Sequence, residues 1–144
     1  MSRTFTDLYV HAVWSTRGRR PWLVESIEKP LYAAMTKKCR ELGCAPLALG
    51  GTDDHVHMLV SLAPTIAVAS LVKEIKGASA HLATHALLHN EPFQWQRGYG
   101  AFSLRKTDLP TVRDYILQQK RHHNSKNLTA EWEPPTDDNS QTNH

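Results

Sequence analysis

Hydrophobic positions along the chain change period several times, and each change marks an element. Residues 7–16, DLYVHAVWST, alternate with a period of two, with Leu8, Val10, Ala12 and Trp14 on one face, which predicts a strand. The basic segment Arg17-Gly18-Arg19-Arg20-Pro21 breaks it as a loop. From about residue 25 to 42 the spacing becomes helical, through Leu31, Ala34, Met35, Cys39 and Leu42. Pro30 either marks a late start of that helix or kinks an earlier one, and Gly43 is placed to end it. Residues 44–49 predict a short second strand, and Gly50-Gly51-Thr52-Asp53-Asp54 a turn.

The third strand is predicted over residues 55–62, HVHMLVSL. A second helix follows over about 67–88, with Val68, Leu71, Val72, Ile75, Leu82 and Leu87 as its apolar positions. Residues 95–104 read as a final strand with an irregularity at Gly98-Tyr99-Gly100. The last helix starts near Asp108, an N-cap candidate with Pro110 in the first turn, and runs to about residue 124. The order predicts an α+β fold, the ferredoxin-like βαββαβ sandwich with an antiparallel sheet, plus a C-terminal helix that bears Tyr115. Two helices would then cover one sheet face and leave the other open for function.

Composition narrows the class. A chain of 144 residues, 40% hydrophobic and 22% charged, suits one domain with one core. That domain is expected over residues 1–124, with 125–144 as a flexible acidic and polar tail. The tail holds Lys126 against Glu131, Glu133, Asp137 and Asp138, a net of 1 − 4 = −3, so the body carries +3 − (−3) = +6. A basic body suits an anionic partner, nucleic acid foremost. No apolar run reaches the roughly 20 residues of a membrane helix, and the N-terminus lacks a signal-peptide pattern. Cys39 and Cys44 form neither a disulfide framework nor a zinc set. The expected compartment is the cytoplasm.

Side-chain alternation places His55, His57, Leu59 and Ser61 on one face of the third strand and Val56, Met58, Val60 and Leu62 on the other. The apolar set belongs to the core, so the two imidazoles are delivered together to the opposite face, within reach of one metal ion. His11 sits beside them if the first and third strands are neighbours, although a hydrogen-bonded core histidine is its ordinary role. His81, His85 and His89 form a rival stripe on the second helix. No carboxylate or cysteine completes that stripe, and a solvated helix face explains it.

On the last helix Tyr115, Gln119 and His122 fall in one stripe, beside an apolar stripe of Leu109, Val112 and Ile116 that can dock on the protein. Gln119 offers an amide oxygen, a neutral hard ligand for Mg²⁺ or Mn²⁺. Phosphodiester transfer uses these parts together. A metal on His55, His57 and Gln119 polarises a phosphate oxygen, and the Tyr115 hydroxyl attacks phosphorus to give a phosphotyrosine. Taken singly, a half-buried tyrosine and a surface glutamine are equally ordinary.

The segments DHVHMLVS at 54–61, WQRGYGAFS at 95–103 and YILQQKRHH at 115–123, with VWSTRGRRP at 13–21, together resemble the single-tyrosine HUH transposases of small insertion sequences, the IS200-like group. The resemblance runs in order over most of the chain. It implies a metal-dependent enzyme on single-stranded DNA, with His55 and His57 as HUH ligands, Gln119 as third ligand and Tyr115 as nucleophile, leaving a 5′-phosphotyrosine and a free 3′-OH. It also implies hairpin recognition at the element ends, and a homodimer in which one subunit's tyrosine helix completes the other's site in trans. No nucleotide cofactor is implied. Arg17, Arg19, Arg20, Lys73, Lys76 and Arg97 are candidates for DNA phosphate contacts, with a solvated charge run as the alternative. Trp95 and Tyr99 can stack on bases or simply pack. Asp54 reads as a turn residue. A REP-associated or domesticated single-strand endonuclease or binding protein is the alternative within the group. Outside it stand a pure nucleic-acid-binding module of the same fold and a zinc hydrolase built on His81, His85 and His89.

Overall fold

The computed structural model describes residues 3–88 and 92–120. His89, His122, His123, the expected end of the last helix and the expected tail at 125–144 lie outside them. The elements are β1 (Tyr9–Ser15), α1 (Glu25–Glu41), β2 (Ala45–Gly51), β3 (His55–Ser61), α2 (Val68–Leu82), β4 (Gly100–Leu104) and α3 (Leu109–Leu117). The sheet order is β2-β3-β1-β4, with every neighbouring pair antiparallel. This is the expected ferredoxin-like α+β arrangement with an added C-terminal helix.

The alternation read from the sequence decides which residues face which layer. Ala12 and Trp14 of β1 and Val56, Met58 and Val60 of β3 pack against Leu31, Met35 and Cys39 of α1 and Leu71, Val72 and Ile75 of α2. Pro30 lies inside α1, which starts at Glu25, so it neither delays nor ends the helix. Beyond Leu82 the chain continues as a π turn over Ala83–Leu87.

The second sheet face is not open. Val112 and Ile116 of α3 pack on Ala48 of β2 and Leu59 of β3, with Leu47, Leu104 and Leu109 around them. The apolar stripe of the last helix needs a surface, and the histidine face of the sheet supplies it. The final strand is also shorter than expected. Trp95 keeps only a bridge to Thr16, because Gly98 turns at φ 83° before β4 resumes pairing with β1. Trp95 is held instead by its Nε1–H, which donates to Ser79 Oγ at 2.9 Å, and by edge contacts with Trp14 and Phe93. Packing, not a free stacking platform, is what its surroundings provide.

Candidate active site

Pairing between β1 and β3 puts Val13 opposite His57 and His11 opposite Leu59, so His11 and His57 are diagonal neighbours on one face. The two imidazoles of β3 share that face with their ring centroids 5.2 Å apart. On the other flank, β2 places Gly50 opposite His57. A β-carbon on Gly50 would lie 2.2 Å from the Ile116 carbonyl oxygen, so the absence of a side chain is what lets the backbone of α3 approach here. The close approach brings Tyr115 edge-on to His57, with centroids 5.7 Å apart, and Gln119 Oε1 to 3.2 Å from His55 Nε2. His55, His57, Tyr115 and Gln119 are all buried. Helical spacing led to this meeting, although the helix itself is interrupted at Gln118, where φ is −107°.

Each histidine is oriented from behind. His55 Nδ1 lies 2.8 Å from Asp54 Oδ1 and 2.9 Å from Thr52 Oγ1, and the Thr52 hydroxyl donates to the same carboxylate oxygen at 3.1 Å. Burial pushes the Asp54 carboxyl up, but the His55 hydrogen bond, the Arg19 guanidinium at 3.4 Å and Thr52 outweigh it and hold Asp54 below its ordinary value. An ionised carboxylate only accepts, so His55 Nδ1 carries a proton. Arg19 is itself in the left-handed region at φ 55°, with its N–H donating to the Thr16 carbonyl at 3.0 Å. His57 Nδ1 sits 2.8 Å from His11 Nε2. Asp54 is therefore more than a turn residue, and the adjacent Asp-His pair in the sequence was the signal for it.

The donor set fits a hard divalent cation. With Nδ1 protonated, the second nitrogen of His55 faces an amide oxygen, and two such groups are compatible only with a proton or a cation between them. The Gln119 amide is oriented by its Nε2–H, which donates to the Tyr115 carbonyl at 3.3 Å. A spacing of 3.2 Å suits adjacent ligands of one octahedral ion, for which bonds of about 2.1 Å subtend about 3 Å. Among the described residues no group of three or more His, Cys, Asp or Glu side chains is arranged to hold a metal. Among the described residues, the group that would complete a site on the histidine pair is the glutamine oxygen. Of the rival stripe, His81 on α2 and His85 in the following π turn lie with their rings tilted and 4.4 Å apart, and His89 is outside the described residues. No third His, Cys, Asp or Glu among the described residues joins the pair in a metal-holding group.

The basic residues divide. Arg17, Lys76 and Arg97 line one cleft of about 620 Å³ beside Trp95 and Gln96. Lys76 Nζ donates to the carbonyls of Gln96 at 2.9 Å and Gly98 at 2.6 Å, and burial pushes its pKa down to about 8. Arg17 donates to Gln94 Oε1. Arg20 lies over the Trp22 ring at 5.4 Å, and Lys73 is exposed on α2. Arg19 is drawn to Asp54 and so belongs to the support of His55. Gln96, which lines the cleft, donates its N–H to the Ser15 carbonyl, and Ser15 pairs with His55 at the start of β3. No helix among the described residues is long and apolar enough to cross a membrane.

Comparison with known proteins assigns the family. A family model described as "Transposase IS200 like" matches residues 4–119. The ISDra2 transposase TnpA of Deinococcus radiodurans is 32% identical over 74 residues, covering 51% of this chain and 53% of the relative, so the match spans about half of that protein's length. A crystal structure of a Deinococcus radiodurans protein assigned as a transposase superposes with a TM-score of 0.65 at 24% identity, covering 81% of this chain and 94% of that one. The structure of a REP-associated tyrosine transposase bound to a REP hairpin superposes with a TM-score of 0.61 at 22% identity, covering 88% and 74%. At these identities the structural likeness speaks for the fold, and the family model carries the assignment: the chain belongs to the IS200-like transposase family.

Proposed function

We propose that the protein is a metal-dependent transposase that cuts and rejoins single-stranded DNA through a covalent tyrosine intermediate, excising and inserting a small insertion sequence. The observation that carries this reading is the convergence of Tyr115, His55, His57 and Gln119 on one buried point between β3 and α3. His55, His57 and Gln119 would hold Mg²⁺ or Mn²⁺. Bound there, the ion supplies Lewis-acid stabilisation of charge developing on a non-bridging phosphate oxygen.

The chain's own residues do the rest. The Tyr115 oxygen attacks phosphorus and loses its proton to solvent. The bond from phosphorus to the 3′ oxygen breaks, that oxygen takes a proton from solvent and leaves as a 3′-OH, and the 5′ phosphate stays on the tyrosine. Attack by another 3′-OH reverses the step and frees Tyr115 without ATP. Asp54 and Thr52 keep His55 in the ligating orientation. Tyr115 is only 7% exposed, held where α3 packs on the sheet. Arg17, Lys76 and Arg97 in the cleft, with Arg20 and Lys73 nearby on the surface, serve as phosphate contacts that lead the strand toward His55. Arg19, held by Asp54, offers at most its remaining guanidinium hydrogens.

The DNA partner is proposed to carry a hairpin at each element end; a structural neighbour, a REP-associated tyrosine transposase, is bound to a REP hairpin. We further propose a homodimer with the tyrosine helix exchanged. In the single chain α3 completes its own site, and the same small apolar seat can receive a second copy's helix, because exchange of an identical element reuses the same contacts. The completeness of the site within one chain favours, as a second reading, a REP-associated enzyme that works as a monomer.

The test is a denaturing gel of protein incubated with labelled single-stranded hairpin DNA from the gene's own flanks. A protein-linked band that needs Mn²⁺, vanishes in EDTA and is lost in His57→Ala supports the proposal. Binding without any linked band, with authentic flanking DNA and folded protein, contradicts it.

A further inference from the structure

We infer that His11 is a positioning residue that sets the tautomer of His57. The inference rests on the reading of His57 as a metal ligand. His11 lies on β1, diagonal to His57 across the β1–β3 pair, and both side chains are excluded from solvent at 1% and 0% exposure. Their rings are 5.0 Å apart and tilted by 32°, and His11 Nε2 is 2.8 Å from His57 Nδ1. A proton in a gap of that length belongs to one nitrogen or the other, and which of them holds it decides what His57 can do.

With the proton on His57 Nδ1, His57 Nε2 presents a lone pair and the ring is a ligand. With the proton on His11 Nε2, His57 Nε2 carries its own proton and the ring cannot bind a cation. By accepting, His11 makes the ligating tautomer available. Asp54 performs the same task for His55 with a full negative charge. The two ligands are thus supported differently: a carboxylate holds the proton on His55 Nδ1, and an imidazole nitrogen holds the one on His57 Nδ1.

Three variants and two readouts test this. His11→Phe removes the acceptor while keeping a ring, His11→Leu does so where the larger ring fails to fold, and His11→Gln restores an acceptor through its amide oxygen. In metal-free, ¹⁵N-labelled protein, long-range ¹H–¹⁵N spectra are expected to show His57 with protonated Nδ1 in the native chain and in His11→Gln. A shift to protonated Nε2 is expected in His11→Phe or His11→Leu. Titration calorimetry with Mn²⁺ is expected to show affinity lowered by about 10- to 100-fold in the acceptor-less variants, with recovery in His11→Gln. An unchanged tautomer and unchanged Mn²⁺ affinity in a folded His11→Phe or His11→Leu would overturn the proposal. His57→Ala in the same titration separates the two levels. If it binds Mn²⁺ as tightly as the native chain, the ligand reading has failed and this proposal falls with it. If it loses binding while folded His11→Phe or His11→Leu does not, only the role of His11 is wrong.

Discussion

Gly50 and Ile116 are in contact through the backbone: a β-carbon at residue 50 would stand 2.2 Å from the Ile116 carbonyl oxygen. Since Gly50 also pairs with His57 across the sheet, this one missing side chain sets how closely the tyrosine helix approaches the histidine pair. Gly50→Ala must push α3 outward. The expected result is a loss of about 1–3 kcal/mol, read as a Tm lower by about 4–12 °C. Cleavage should fall far more than stability, because Gln119 and Tyr115 move together. A variant with native Tm and native cleavage would show that the seat of α3 is not what positions the site.

Tyr115→Phe keeps the ring that stands edge-on to His57 at 5.7 Å. Stability is expected within about 1 kcal/mol of native, since only a hydroxyl is removed. Affinity for hairpin DNA, measured by fluorescence anisotropy, should stay within about threefold while covalent attachment disappears. Attachment that survives the substitution would remove Tyr115 from the nucleophile's role.

Lys76 gives the DNA cleft a pH dependence. Its amine is pushed down to about 8 by burial, so the cleft loses a positive charge as pH rises through that value. Affinity for single-stranded DNA should therefore weaken between about pH 7 and 9, and the slope of log affinity against log salt should shrink by about 0.7, one phosphate contact. Lys76→Arg should hold its affinity across that range. The effect on folding has the opposite sign. A lysine below its ordinary value binds fewer protons folded than unfolded, so between about pH 8 and the ordinary lysine range stability rises with pH. The two carbonyl hydrogen bonds to Nζ offset part of the cost of the charged amine at neutral pH. A native chain whose DNA affinity is flat from pH 7 to 9 would exclude Lys76 from the contact.

Exchange of the helix is tested by mixing. Tyr115→Phe supplies intact ligands and His57→Ala supplies an intact tyrosine, so their mixed dimer contains one complete site only if α3 crosses between chains. Sedimentation should give a dimer, and the mixture should regain about a quarter of native attachment, as expected if half the dimers are mixed and each has one of two sites. A monomer, or a dimer whose mixture stays inactive, would leave each site to its own chain and favour the REP-associated reading.

Much of this was legible because alternation along a strand is a hard constraint. HVHMLVS can bury Val56, Met58 and Val60 only by sending His55 and His57 to the opposite face, and β1 had to follow the same rule. The docking stripe of Leu109, Val112 and Ile116 was visible for the same kind of reason. What it docks on was not: the second sheet face reads as open when helices are counted, and is covered because that stripe needs a partner. The first part of the expected fourth strand, residues 95–99, gives way at Gly98; the irregularity there was legible, but not that its positive φ ends the pairing. Support for the histidines was the least visible part. The bonds from His57 to His11 and from His55 to Thr52 depend on sheet register and turn geometry, which arise only once distant segments are paired.

The central claim is that Tyr115 becomes covalently joined to DNA. Its most direct measurement is peptide mapping by mass spectrometry of native protein incubated with hairpin DNA and Mn²⁺, then digested with nuclease and trypsin. The account predicts a nucleotide mass on the peptide containing Tyr115, joined at that residue through a 5′ phosphate and absent in EDTA. A nucleotide on any other side chain, or cleaved DNA with no modified peptide, would contradict it.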